Sequence, residues 1–233
     1  MKRLVVWVLI WLAATTAVQA QLTPEQHKNL VDYARWLGSC RIRYSQRWKP
    51  PGESLPWTMD CSNTARFIYY KVLGYRLERT ASDQYYILKQ KGLVFDAPLI
   101  IDGKVDSQTL LSQMRSGDLL FWEWTYNIKR TPPVSHVMIY LGKTADGTPK
   151  MVGSASSAAG ERTSHGGVDV YTFDPNASHG GVKNFFGQYI HKARFVGYGR
   201  PLANTKVVAA STGKSDSSNP ASLQADANAS SSN

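Results

Sequence analysis

Asp60-Cys61-Ser62 opens a helical pattern, and much later Ser135-His136-Val137-Met138-Ile139-Tyr140-Leu141-Gly142 forms a strand-like run. The second stretch is rich in β-branched and aromatic residues and ends at a glycine, which is typical of a strand. A cysteine where a helix begins and a histidine where a strand begins are the two groups that a thiol hydrolase requires. These two stretches therefore decide the fold class and suggest the chemistry.

The predicted helix that starts at Cys61 has one apolar face and ends at Gly74. Apolar residues recur at helical spacing on the same stripe as the cysteine: Ala65, Ile68 and Val72. Cys61 therefore lies in the first turn, where free N–H groups and the helix dipole favour a thiolate and offer donors to an oxyanion. A buried structural cysteine is the alternative, because free cysteines are among the most buried residues.

Helical patterns fill the first half of the chain and strand patterns the second. We expect helices over 24–37, 61–73, 82–90 and 107–114, and strands over 118–122, 136–141, 150–152, 168–173 and 194–198. Helices followed by strands predict an α+β fold with an antiparallel sheet. In such a fold the cysteine helix packs against the sheet, and His136 at a strand entrance can face the thiol.

The two ends of the chain differ from its middle. Lys2 and Arg3 precede an apolar run over 4–14, and small residues end at Ala20, so residues 1–20 are predicted to be a secretory signal. Residues 203–233 are rich in Ser, Ala and Asn, which predicts a disordered tail. The remaining residues, 21–202, have the length of one domain, so the product is expected to be soluble and exported to the periplasm or beyond.

The net charge and the cysteine content limit the classes of partner and of chemistry that we expect. The formal net charge is +10, of which Lys2 and Arg3 contribute two, so wall polymers, acidic peptides or lipid surfaces are favoured, or solubility alone. Nucleic acid is not expected, because no basic run is interleaved with aromatic residues. Cys40 and Cys61 are the only cysteines. One alternative is a disulfide between them. We favour the other, a free thiol that is used in catalysis.

Four short motifs stand in an order that resembles the NlpC-like cell-wall cysteine peptidases. They are Asp60-Cys61-Ser62, Arg79-Thr80 with Gln84, Gly117-Asp118-Leu119-Leu120-Phe121, and the stretch from Ser135 to Gly142. The resemblance covers about 41–173. It implies a papain-like fold in which N-terminal helices, one of them starting at the nucleophile, pack on a small antiparallel sheet. It also implies cleavage of peptide bonds in the stem peptides of peptidoglycan.

The resemblance also implies roles for individual residues. Cys61 matches the nucleophile and His136 the general base, while Tyr44, Asp60 and Ser62 are assigned to binding of substrate or oxyanion. The family usually carries a third polar residue on the strand after the histidine strand, and that position falls on Gly153. His165 is our candidate for the missing group, and Ser154 is its rival.

Other activities remain open at this stage. The same fold serves other amides or esters, as in an acyltransferase or an antibacterial toxin, and a non-catalytic wall-binding module is a further alternative. The histidines lack the paired spacing of a zinc helix, so no metal and no cofactor are expected. We expect a monomer whose partner is peptidoglycan or its peptide fragments, with no stable membrane insertion.

Overall fold

The computed structural model describes residues 21–203. The predicted signal segment and the predicted tail, apart from Ala203, lie outside the described residues. Within the described part, no helix is long and apolar enough to cross a bilayer.

The described chain contains four helices and ten strands. The helices are α1 Pro24–Ser39, α2 Cys61–Leu73, α3 Ala81–Gln90 and α4 Ser107–Gln113. The strands are β1 Arg43–Tyr44, β2 Thr58–Met59, β3 Val94–Asp96, β4 Leu119–Glu123, β5 Val134–Lys143, β6 Pro149–Ala155, β7 Gly167–Thr172, β8 Gly181–Lys183, β9 Tyr189–Lys192 and β10 Arg194–Gly199. All the helices and strands predicted from the sequence are present, and β1, β2, β3, β8 and β9 are additional.

Six strands form one antiparallel sheet in the order β3-β10-β4-β5-β6-β7. The helices pack against it, with α1 on β7, α2 on β5 and β6, and α3 on β5. The predicted α+β class with helices on a small antiparallel sheet is therefore confirmed. Outside this sheet, β1 and β2 form a short parallel pair, and β8 and β9 form an antiparallel hairpin.

The two faces of the sheet bury different clusters because side chains alternate along each strand. On β5, Val137 and Ile139 belong to the apolar cluster shared with the helices. Met138 and Tyr140 belong to a second cluster on the other face, which is centred on Trp122. The strand that carries His136 therefore separates two cores.

A buried ion pair joins the end of β10 to the start of β4. Nε and Nη2 of Arg200 each donate to one carboxylate oxygen of Asp118 at 2.9 Å, and Nη2 also donates to the Gln113 carbonyl at 3.0 Å. The Asp118 carboxylate accepts a further bond from the Arg115 N–H at 2.8 Å. Both members of the pair are more than nine-tenths buried. This network fastens β10 and β4 together at one end of the sheet.

Candidate active site

Cys61 is the first residue of α2, and Asp60 is its N-cap. The Asp60 carboxylate accepts from the Asn63 N–H at 2.7 Å and from the Ser62 hydroxyl at 3.1 Å. A carboxylate in this position satisfies N–H groups that the helix leaves unpaired. Cys61 is therefore held in the first turn of the helix, as the sequence predicts.

Arg79 ties this first turn to the segment that precedes α3. Its Nη2 lies 3.0 Å from Oδ2 of Asp60, and its Nη1 donates to Oγ of Ser62 at 3.0 Å. Asp60 and Ser62, which the sequence assigns to substrate or oxyanion binding, both line the cavity at Cys61. Their polar atoms are at the same time engaged with one another and with Arg79, so both side chains brace the helix start.

A cavity of about 510 Å³ opens at the Cys61 thiol. Three arginines line it, Arg47, Arg79 and Arg130, and Asp60 is the one acidic residue in its lining. Because Asp60 is already paired with Arg79, the lining has an excess of positive charge. Such a lining favours a ligand that carries carboxylates.

His136 lies near the start of β5 and lines a neighbouring cavity of about 430 Å³. Its ring centroid is 5.7 Å from that of Trp122 and 6.5 Å from that of His179. Cys61 does not line this second cavity, and His136 does not line the first. The imidazole is thus packed among aromatic rings on the Trp122 face of the sheet.

The two cavities are adjacent, because Tyr44, Gln46 and Tyr126 line both. Tyr44, which the sequence assigns to substrate or oxyanion binding, lies on β1, and burial raises the pKa of its hydroxyl above the ordinary value. The hydroxyl stays protonated at neutral pH and can donate a hydrogen bond. Tyr44 therefore lies at the boundary between the thiol and the imidazole.

Burial keeps both predicted catalytic groups neutral. Burial, reinforced by the neighbouring Asp60 carboxylate, raises the pKa of the Cys61 thiol to about 12, while backbone hydrogen bonds from Val137 and Ser62 oppose the rise. Burial, together with repulsion from His179, lowers the pKa of His136 to about 3. The helix start was expected to favour a thiolate, but removal of the sulfur from water outweighs that effect here.

The pKa values predict how Cys61 reacts with an alkylating agent. In a Cys40→Ser background, iodoacetamide should modify the native protein at pH 7 at least about a hundredfold more slowly than an exposed cysteine, because only the thiolate reacts. The rate should climb with every further pH unit through pH 9. Mass spectrometry of the alkylated peptide measures it, and urea-unfolded protein is the control. A rate that reaches a plateau below pH 7 would instead indicate a thiolate–imidazolium pair.

The position expected to hold the third catalytic residue has no side chain, and Met138 fills the space. A Cβ added to Gly153 would lie 2.7 Å from Cγ of Met138 on the neighbouring strand. Ser154, one residue further on, donates its hydroxyl to the Met59 carbonyl at 2.9 Å. His165 lies in the exposed loop before β7, where its backbone N–H bonds to the Thr163 hydroxyl.

The group that faces His136 is His179, which lies in the segment between β7 and β8. The two rings line the same cavity. His179 also packs on Trp122 with ring centroids 4.8 Å apart, and its Nε2 is buried without a hydrogen-bond partner. Sequence reasoning missed this contact, because His179 lies in a stretch of small residues that shows no periodicity.

Two long connections of the chain flank the site. The connection between β4 and β5 contributes Tyr126, Ile128 and Arg130 to the cavity at Cys61. The connection between β6 and β7 contributes Ala158 to the cavity at His136. Both connections therefore form walls of the cleft.

Both cysteines are free, and Cys40 is partly exposed at the end of α1. Within residues 21–203, no group of three or more His, Cys, Asp or Glu side chains is arranged to hold a metal ion.

Comparison with known proteins identifies the family. No curated protein matches the chain. A crystal structure from Staphylococcus aureus subsp. aureus Mu50, described as similar to lipoprotein, NLP/P60 family, is 20% identical with a TM-score of 0.43. That match covers 82% of this chain and 46% of the other, so this chain spans about half the length of that protein. The NlpC/P60 family model matches residues 47–193, more than half of the chain. The chain therefore belongs to the NlpC/P60 family, within a superfamily of cell-wall peptidases and amidases.

Proposed function

We propose that the protein is an exported cysteine peptidase that hydrolyses peptide bonds in the stem peptides of peptidoglycan. The observation that carries the proposal is the placement of Cys61 at a capped helix start, opening into a cavity lined by three arginines. Family membership supports the wall as the place of action. Stem peptides carry free carboxylates, and these match the charge of the cavity.

Cys61 acts as the nucleophile and His136 as the base. As the imidazole takes the thiol proton, Sγ attacks the amide carbonyl carbon and forms a tetrahedral intermediate. The C–N bond then breaks, and the imidazolium gives its proton to the leaving amine. Water, deprotonated by His136, hydrolyses the thioester and restores the thiol together with a carboxylate product.

The neutral resting state of both groups fits this sequence of steps. A thiol with a raised pKa does not ionise alone, so the proton must move to the base as the sulfur attacks. The imidazole must therefore come within hydrogen-bond distance of Sγ in the substrate complex. Such contacts often tighten only when substrate binds.

The oxyanion is stabilised at the start of α2. The first helical turn places backbone N–H groups and the positive end of the helix dipole beside Cys61, and both favour negative charge. The Tyr44 hydroxyl, at the boundary of the two cavities, is the side-chain donor on the opposite side. Arg47 and Arg130 bind the carboxylates of the stem peptide.

The test is incubation of the protein from Gln21 onward with isolated peptidoglycan, followed by separation and mass spectrometry of the soluble products. Hydrolysis of a stem peptide releases one fragment with a new carboxylate and one with a new amine, and their summed mass exceeds that of the intact peptide by one water. If the protein binds measurably to the sacculi but releases no new fragments, the peptidase proposal is overturned in favour of a binding module. Fragments altered only in the glycan would also contradict it.

The contact between His179 and His136 leads to a prediction about orientation of the base. His179→Phe keeps a ring against Trp122 but removes both nitrogens, and it should lower kcat about tenfold with little change in KM. Because His179 lowers the pKa of His136, its removal should also move the acidic limb of the pH–rate profile to higher pH. Steady-state kinetics on a purified stem peptide measures both effects.

His165→Ala is the matched control, since His165 lies in an exposed loop. It should change neither kcat nor the pH profile. A loss of kcat in His165→Ala with an unchanged His179→Phe would assign the positioning role to His165 instead.

A further inference from the structure

The β8–β9 hairpin carries the most exposed aromatic side chains of the described structure. Phe185 and Phe186, at its turn, are 98% and 83% exposed, and the two rings contact each other at a centroid distance of 5.7 Å. Tyr189 and Ile190 follow on β9 and are also exposed. Leaving two phenylalanine rings in water costs free energy that burial of the rings would recover. Exposed apolar patches of this kind mark interaction sites.

The turn holds the two rings outward through a specific set of hydrogen bonds. The Asn184 side-chain oxygen accepts from the N–H groups of Phe186 and Gln188, each at 3.0 Å. The Asn184 N–H donates to the Gln188 carbonyl at 2.8 Å, and the Gly187 N–H donates to the Asn184 carbonyl at 3.0 Å. The tip is therefore an ordered projection, whose rings are presented without a cost of ordering at the moment of contact.

The charge of the hairpin has one sign. Between Pro175 and Ala193 the sequence contains Lys183 and Lys192 and no acidic residue. Lys183 lies with its Nζ 4.8 Å from the Tyr189 ring centroid, close behind the two phenylalanines. A projecting apolar tip with a basic collar matches a surface that is apolar inside and anionic outside.

A second exposed apolar segment lies beside the hairpin. Leu99, Ile100 and Ile101 are exposed in the loop after β3. A groove of about 680 Å³ separates this loop from the hairpin, lined by Leu99 on one side and by Tyr189 on the other. The loop contributes less than the hairpin to the positive charge of this surface, because Asp102 pairs with Lys104 there.

We infer that the β8–β9 hairpin docks the protein on an anionic lipid surface, with Phe185 and Phe186 inserted between the acyl chains and Lys183 and Lys192 at the phosphate level. A narrow convex tip suits a bilayer better than a protein partner, which requires a broad complementary face. Phenylalanine lacks the polar atom with which tyrosine and tryptophan bind at wet interfaces. This surface is separate from the cleft at Cys61 and does not depend on the proposed hydrolysis.

Docking of the hairpin would also bear on the cleft at Cys61, because the two are connected by a ring contact. His191 on β9 stacks on Trp124 with ring centroids 4.1 Å apart and an interplanar angle of 14°. Trp124 begins the connection whose next residues, including Tyr126, line the cavity at Cys61. The hairpin and one wall of the cleft therefore share a contact.

The test is co-sedimentation of the protein from Gln21 to Asn233 with vesicles of equal parts phosphatidylglycerol and phosphatidylcholine. We expect binding that falls at least tenfold in Phe185→Ser/Phe186→Ser and in vesicles of phosphatidylcholine alone. Trp36→Ser/Tyr86→Ser, which removes two exposed aromatics from α1 and α3, is the matched control and should bind like the unchanged protein. Circular dichroism checks that each variant is folded.

Equal binding of the hairpin variant and the unchanged protein would overturn the inference, as would absence of binding to anionic vesicles. Binding that resists removal of phosphatidylglycerol would contradict the role of Lys183 and Lys192. A hairpin variant that loses binding to sacculi, with no vesicle binding by either protein, would reassign the hairpin to the wall polymer and would also overturn the lipid inference.

Discussion

Replacement of Cys61 by alanine is expected to lower peptidoglycan hydrolysis by at least about a thousandfold, to the background rate. The sulfur forms the covalent intermediate, and no other thiol opens into the cavity of about 510 Å³ at the start of α2. The variant should remain folded, since Asp60 and Arg79 hold the helix start through atoms that the substitution leaves in place. Release of soluble stem-peptide fragments from isolated sacculi measures the effect.

Cys40→Ala is the matched control for Cys61→Ala, because it removes the other free cysteine of the chain. Its rate should equal that of the unchanged protein. Retention of hydrolysis in Cys61→Ala would reject the assigned nucleophile, and loss of hydrolysis in Cys40→Ala with an intact fold would move the chemistry to the end of α1.

Arg200→Met is expected to destabilise the fold by about 3–5 kcal/mol, because it leaves the Asp118 carboxylate buried without its cation. Arg200 makes a two-pronged contact with Asp118 and also bonds to the Gln113 carbonyl. Its guanidinium lies 5.1 Å and 5.4 Å from the ring centroids of Phe95 and Tyr198, so its loss also removes packing. Urea unfolding followed by circular dichroism gives the change in free energy.

Lys28→Met breaks an ion pair of the opposite kind, with both side chains largely in water. It should leave the unfolding midpoint unchanged. Arg200→Met/Asp118→Asn should recover part of the lost stability, since the buried charge is then gone. An Arg200→Met variant as stable as the Lys28→Met control would show that the buried pair contributes nothing to the fold.

The sequence predicts the elements whose signals are local. Thr23, Pro24 and Gln26 form the capping box and first turn that start α1. Gly74 ends α2 in the left-handed conformation (φ 64°), which glycine adopts without strain. The hairpin of β8 and β9 was missed, because its apolar residues are exposed and show no alternation between a buried and a solvent face. The two-residue strands β1 and β2 are too short for any period.

The candidate active site also combines local features, which the sequence predicts, with contacts between distant residues, which it does not. The contacts of Asp60 with Ser62 and Asn63 lie within one helical turn. The sequence predicts the helix start that they cap, but it assigns Asp60 and Ser62 to binding of substrate or oxyanion. The surroundings of His136 depend on Trp122 and His179, which come from distant parts of the chain. The sequence also does not predict the neutral state of Cys61. That state depends on how completely the sheet and the connections exclude water from the sulfur.

The contact between Met138 and Gly153 has a consequence for substitutions at either position. A histidine at position 153 would collide with the Met138 side chain, and a glycine at position 138 alone would leave a void that costs stability. The two positions are therefore coupled, and the cost of an exchange at one depends on the residue at the other. A side chain at position 153 therefore requires a smaller residue at position 138 at the same time, because the two would occupy the same space.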